Sequence, residues 1–261
     1  MTVNRTARTA AVLLLALAIG SPAPAPAQDE PAAPAAADEA QALVARVMEA
    51  LGGEKAWEAT RYLHFRFAGR RTHWWDRYTG RHRLEGTNQE GQSYLVLHDV
   101  DDRGETGRAW VEGEPAKGEA ATELVKNAYA AWINDTYWLL APYKLRDPWV
   151  TLSYDGRETV NGVTYDKLHL SFEGVGLTPG DQYWMYVHPE TGLVDRWAYV
   201  LESQQPPPTA WEWKGWRRYG PGILLADQRV QPEGGRELPL APIEVPDELP
   251  DAVFESPEPV P

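Results

Sequence analysis

The chain contains no cysteine. Disulfides, thiolate nucleophiles and zinc–thiolate centres are therefore excluded, whatever the redox state of its surroundings. Positive charge is scarce as well, with 25 Lys and Arg against 38 Asp and Glu and a formal charge of −13. Such a balance disfavours nucleic acid and anionic lipid surfaces as partners. No GxSxG, HxxxH or HExxH occurs, so neither a serine-hydrolase elbow nor a local zinc-ligand pair is present. Beyond the N-terminus no apolar stretch approaches membrane-spanning length, which argues against stable membrane insertion. Phenylalanine is rare, four residues, whereas Trp and Tyr reach twelve each.

That exchange of Phe for Trp and Tyr is informative. Each of the two joins a large apolar face to one hydrogen-bonding tip, which suits half-wet surfaces and ligand-lined concavities better than a plain core. Many of them lie in short alternating runs, Tyr183-Trp184-Met185-Tyr186-Val187, Trp197-Ala198-Tyr199 and Trp211-Glu212-Trp213.

The N-terminus reads as a secretory signal. Arg5 and Arg8 precede an apolar run over residues 10–19, and Ala25-Pro26-Ala27 supplies a small-x-small cleavage site, with cleavage expected after Ala27. The expected location is the periplasm, with secretion as the wider possibility, and a monomer is expected. Residues 28–37 read as a disordered leader. A helix is expected from about Asp38 to Leu51, because Leu43, Val44, Val47, Met48 and Leu51 form one stripe that Gly52-Gly53 ends. A short helical turn over residues 54–59 follows.

From Tyr62 the period changes to two. Strands are expected over residues 62–67, 72–78, 81–86, 93–98 and 107–111, then, after a helical stretch at 115–140, over 150–154 (continuing toward 160), 163–172, 182–188, 193–201, 209–218 and 223–230. Asn134-Asp135-Thr136 marks a point where the helical stretch could divide. Gly69-Arg70 and Thr79-Gly80 read as two-residue hairpin loops. That register sets Phe65 opposite Trp74 and Asp76 opposite Arg83, and a slip of one residue would reverse every face. From Pro232 to Pro261 the chain is rich in proline and acid, and an extended or disordered tail is expected. The fold class is α+β: one domain over residues 38–231, with an antiparallel sheet of about eleven strands, open or barrel-like, covered by helices.

This order, with the run Asn134-Asp135-Thr136-Tyr137-Trp138-Leu139-Leu140, Pro142-Tyr143-Lys144-Leu145, and the stretch from Tyr165-Asp166-Lys167-Leu168 to Glu190-Thr191-Gly192-Leu193, resembles the LolA/LolB-like superfamily of exported bacterial proteins. The resemblance covers roughly residues 38–230. It implies an unclosed half-barrel that carries lipoproteins or binds other lipids, with no catalysis and no cofactor. In the lipoprotein carrier an arginine helps to hold the helical lid shut. Arg66, Arg70 and Arg71 lie in a comparable region, and none of them is assigned that role.

Other chemistry finds less support. The six histidines have no ligand spacing, and structural or exposed roles are expected for them. Asp76 with Arg83 or Arg77 reads as a cross-strand ion pair, with a positioned acid as the sharper alternative. Asp99, Asp101 and Asp102 lack the ligand order of a calcium loop. The candidate site is the aromatic set: Phe65, Phe67, Trp74, Trp132, Trp138, Trp184, Tyr186, Trp197, Tyr199, Trp211 and Trp213. It would line a cavity for a lipid or other hydrophobic ligand. The alternative is a carbohydrate- or protein-binding envelope module that presents exposed rings to a sugar or an envelope protein partner. A hydrolase with an unrecognised acid pair is a third reading.

Overall fold

The computed structural model describes residues 33–172 and 180–260. The residues of the signal-sequence reading lie outside the described residues.

The first helix, α1, runs Ala33–Ala50. It begins inside the segment expected to be a disordered leader, since the alanines of 33–37 extend it. Helix α2 (Gly53–Ala59) follows. The turn between them requires Gly52 at φ 114°, where a Cβ would lie 2.4 Å from the Gly222 carbonyl oxygen. Strands β1 (Tyr62–Phe67), β2 (Arg71–Asp76), β3 (Arg81–Thr87), β4 (Ser93–Asp99), β5 (Gly107–Val111) and β6 (Glu114–Pro115) form a meander. Helix α3 (Gly118–Leu140) and a 3₁₀ helix (Ala141–Arg146) follow. A second meander comprises β7 (Val150–Val160), β8 (Val163–Phe172), β9 (Gln182–Val187), β10 (Val194–Val200), β11 (Thr209–Tyr219) and β12 (Ile223–Val230).

Helix α3 is not divided at Asn134-Asp135-Thr136. The Asp135 carboxylate is taken up by Arg71 and His73, so it does not compete for backbone N–H groups. Thr136 back-bonds to the Trp132 carbonyl. Pro115, expected near the helix start, instead lies in β6 opposite Trp110.

The chain beyond Pro232 is not a free tail. Strand β13 (Glu237–Pro239) pairs with β12, and β14 (Ile243–Glu244) pairs with β1. The backbone N–H groups of Ala68 and Arg66 donate to the carbonyls of Pro239 and Pro242 at 2.8 and 3.1 Å. The segment is thus inserted between the first and last long strands. Helix α4 (Ala252–Glu255) buries Val253 and Phe254 against Tyr62 and Trp74. Arg83, fully buried, donates to the backbone carbonyls of Val253, Ser256 and Glu258. Composition predicts a solvated tail here because its buried apolar residues are few and without period among proline and acid, and the Arg83 contacts use backbone carbonyls.

Among the described residues there are two antiparallel seven-stranded sheets. Sheet A has the order β14-β1-β2-β3-β4-β5-β6, and sheet B the order β13-β12-β11-β10-β9-β8-β7. The α+β class and the eleven expected strands are present, with β6, β13 and β14 added. The main core joins Leu43, Val44, Val47 and Leu51 of α1 and Leu139 of α3 to the inner face of sheet B. A smaller core sets Val125 and Ala128 of α3 on Leu84, Val96 and Ala109 of sheet A.

Register differs from expectation by one residue in the first hairpin and by two in the second. The first two hairpin loops contain residues 68–70 and 77–80, so Phe65 faces His73 and Trp74 faces Arg83. Leu63, Phe65, His73 and Trp75 point inward toward the helices. Tyr62, His64 and Trp74 point outward.

Candidate functional site

Helix α3 lies over both sheets, and its last turns carry Trp138 into the inner face of sheet B. There the Trp138 ring meets Trp197 at 4.8 Å, Trp211 at 5.2 Å, Tyr199 at 6.2 Å and Phe67 at 6.5 Å between ring centres. Pairing explains the gathering: Trp197 faces Trp211 across β10–β11, and Tyr199 faces Tyr183 across β10–β9. Trp213 joins edge-on to Trp197 at 5.8 Å. Tyr137, one position along α3, touches Phe172, Tyr183 and Trp197.

These rings fill the space between helix and sheet by touching one another. Yet the indole N–H groups of Trp197, Trp211 and Trp213 and the hydroxyl of Tyr137 are buried with no hydrogen-bond partner among the described residues. Each such group forfeits about 1–3 kcal/mol relative to a satisfied one. The cluster is therefore rich in unused donors and poor in acceptors. Burial also pushes the Tyr137 hydroxyl well above its ordinary range.

The expected site residues divide. Phe67, Trp138, Trp197, Tyr199, Trp211 and Trp213 come together as described. Phe65 lies on the inner face of sheet A, stacked on His73 at 4.5 Å. Trp132 packs edge-on to Trp75 at 5.2 Å, again against sheet A. Trp74, Trp184 and Tyr186 do not share the face of the others. Trp74 lies outward beneath Phe254 and Val253, a direct result of the register slip. Trp184 lies outward beside His169, and Tyr186 beside Tyr165. In β9 it is Tyr183, Met185 and Val187 that point inward. The signal for this was on the neighbouring strand, where Leu168 and Leu170 alternate with Lys167, His169 and Ser171 and pair with Met185 and Tyr183.

Two arginines tie α3 down. Arg229 of β12, fully buried, donates at 2.6 Å to the Trp138 carbonyl and lies 3.5 Å from the centre of the Trp213 ring. Burial drives its pKa well below the ordinary arginine value. Arg71 of β2 grips Asp135 through two bonds of 2.6 and 2.7 Å. Burial would raise the Asp135 carboxyl, but the bonds from His73 and Arg71 outweigh it and hold the pKa low.

Asp76 pairs with Arg61 and Arg81, at 2.9 and 3.1 Å, rather than with Arg83 or Arg77. The ion-pair reading stands with different partners. Sequence gave no sign of a row of three histidines beneath α3. His73, His82 and His98 are buried and joined ring to ring at 3.1 and 2.8 Å.

Two surface features lie apart from the cluster. A groove of about 510 Å³ follows sheet A, lined by Arg66, Thr72, Glu85 and Trp110 among others. Tyr78 and Trp149 are the large hydrophobics exposed among the described residues, and no flat row of exposed rings is found there.

No protein-family model matches the chain, and no curated protein matches it. Solved structures do. A DUF1329 family protein from Desulfovibrio piger is 14% identical over 83% of this chain and 97% of its own, with a TM-score of 0.43. A domain described as outer membrane lipoprotein-sorting, from Vibrio parahaemolyticus, is 7% identical over 84% and 97%, with a TM-score of 0.42. A LolA superfamily protein from Nitrosomonas europaea is 10% identical over 82% and 96%, with a TM-score of 0.35. At these scores no residue role passes from them to this chain.

Proposed function

We propose that this is an envelope protein that binds an apolar or amphipathic ligand of the lipid class between α3 and the inner face of sheet B, without catalysis. The observation that carries the reading is the Trp138 cluster, a closed set of large rings holding buried indole donors without acceptors. A core built only for stability gains nothing from such donors. An ester, amide or phosphate headed ligand would bring the missing acceptors, and its chain would replace ring-to-ring contact at about 0.8 kcal/mol for each CH₂ buried.

Entry requires the end of α3 to lift. Arg229 and Arg71 are the groups that oppose this, one at the Trp138 carbonyl and one at Asp135. The N-terminal signal pattern supports action in the periplasm or outside the cell. The surface-stacking alternative is less favoured, because it needs exposed rings, whereas Phe67, Trp197, Trp211 and Trp213 are buried and Trp138 and Tyr199 are half-buried.

Native mass spectrometry of the protein purified from an envelope fraction tests the reading. A co-purifying species of lipid mass, lost from a Trp138→Ala variant, supports it. A protein without added mass, whose tryptophan fluorescence is also unchanged by oleate, refutes it.

A further inference from the structure

The three buried histidines lie in a hydrogen-bonded line whose proton count is unusual. At one end His73 Nε2 meets Asp135 Oδ2 at 2.9 Å. His73 Nδ1 then meets His82 Nε2 at 3.1 Å, and His82 Nδ1 meets His98 Nε2 at 2.8 Å. At the other end His98 Nδ1 faces the Asp99 carbonyl at 3.3 Å. Both ends are acceptors, so the line has four gaps. Three neutral imidazoles supply one N–H each. One gap must therefore lack a proton.

The geometry says which. Asp135 also accepts two bonds from Arg71 and one from Asn134, as an ionised carboxylate does, so His73 must offer it an N–H. Every ring then carries its proton on Nε2 and points it toward Asp135. The unprotonated nitrogen is His98 Nδ1, at the outer end, and that gap is the longest of the four. His98 is also the most exposed of the three rings, at 7% against 0% and 1%.

We infer that His73, His82 and His98 form one proton-uptake site, which accepts a single proton at His98 Nδ1 on acidification and thereby weakens the hold of sheet A on α3. A proton entering there can pass along the rings, each handing its inner N–H to the next, so that the added charge reaches His73. There the Asp135 carboxylate favours it, whereas the exclusion of water from the rings and the Arg71 cation oppose it, and the opposition is the larger. Protonation is easier once α3 moves and water reaches the rings, so falling pH favours the lifted helix. The charged and titratable groups around the line are Asp135 of α3, Arg71 of β2, Tyr94 and Asp99 of β4 and the Asp102 loop, with Asn134 bonded to Asp135 and His64 of β1 acting on His73 from the outer face of the sheet. Burial lowers the pKa of all three histidines, most strongly that of His82, and keeps the site neutral at neutral pH. Because the same helix carries Trp138, this rests on the ligand reading for its purpose but not for its chemistry.

The test is NMR of the full chain with ¹⁵N-labelled histidine from about pH 7.5 to about pH 5, with amide exchange in α3 corrected for its intrinsic rate. Expected are three Nε2–H tautomers at the upper end and one coupled proton uptake below the ordinary histidine range. Exchange of residues 129–140 should rise about tenfold on acidification. In His82→Gln, and in His98→Asn should the first fail to fold, that rise should fall within about twofold. Unchanged α3 exchange, an equal rise in both variants, or three independent ordinary titrations would overturn the inference. Oleate retention is read separately: release at low pH in wild type alone supports the coupling. If oleate binds at neither pH, the ligand reading fails while exchange still decides the relay.

Discussion

The guanidinium of Arg229 lies 3.5 Å from the centre of the Trp213 ring, fully buried beneath α3. No carboxylate pairs with it among the described residues. Its charge is held by the ring face and by the carbonyls of Trp138, Ala226 and Gln228. A cation kept dry on these terms adds little net stability but fixes where α3 can sit.

Arg229→Met should therefore cost about 1 kcal/mol or less in urea unfolding, because the apolar stem is kept and an expensive charge is removed. Arg229→Ala should cost about 3 kcal/mol through the cavity it leaves. Both should speed amide exchange at the end of α3.

Trp138→Ala should destabilise by about 3–5 kcal/mol, since the ring contacts Phe67, Trp197, Tyr199 and Trp211 together. Trp138→Phe should cost less than half of that by the same denaturant measurement.

The C-terminal segment should come loose in Arg83→Leu. Three backbone carbonyls would lose their donor, and Trp74 and Tyr62 would gain access to solvent. The expected loss is about 2–4 kcal/mol. Limited proteolysis should then cut within residues 245–260 while leaving α3 intact.

Asp76 gives a pH signature distinct from that of the histidines. Burial alone would raise its carboxyl, but bonds from Arg61, Thr79 and Arg81 hold it below the ordinary carboxylate range. Its contribution is thus present above the unfolded carboxylate value and lost as pH falls through that value toward the folded one. The stability gap between wild type and Asp76→Asn should be full at neutral pH, begin to narrow as pH falls below about 4, and go on narrowing with further acidification. The buried histidines have depressed folded pKa values, so their loss of stability begins earlier, as pH falls below about 6.5.

Much of the strand layout was legible in sequence. The bounds of β1, β5, β8 and β12 follow from period-two patterning. Loop length was not legible. Ala68 adopts φ 51°, a conformation usually left to glycine, so the three-residue loop was read as two and Trp74 was given the wrong face. The order of the segment after Pro232 was hidden because its buried apolar residues, Leu240, Ile243, Val253 and Phe254, follow no strand or helix period and its other anchors are backbone carbonyls. The histidine row was hidden for a related reason. His73 and His82 meet on a diagonal between strands, and Asp135 comes from a helix distant in sequence, so spacing alone carries no trace of them.

The site itself is tested most directly by photo-crosslinking with a diazirine-bearing fatty acid, followed by peptide mapping. The account predicts label on residues 132–140 and on the inward rings of β9, β10 and β11, with little on Trp74, Trp184 or Tyr186. Label confined to those outward rings or to the groove of Arg66 and Trp110, with none on Trp138 or Trp197, would contradict it.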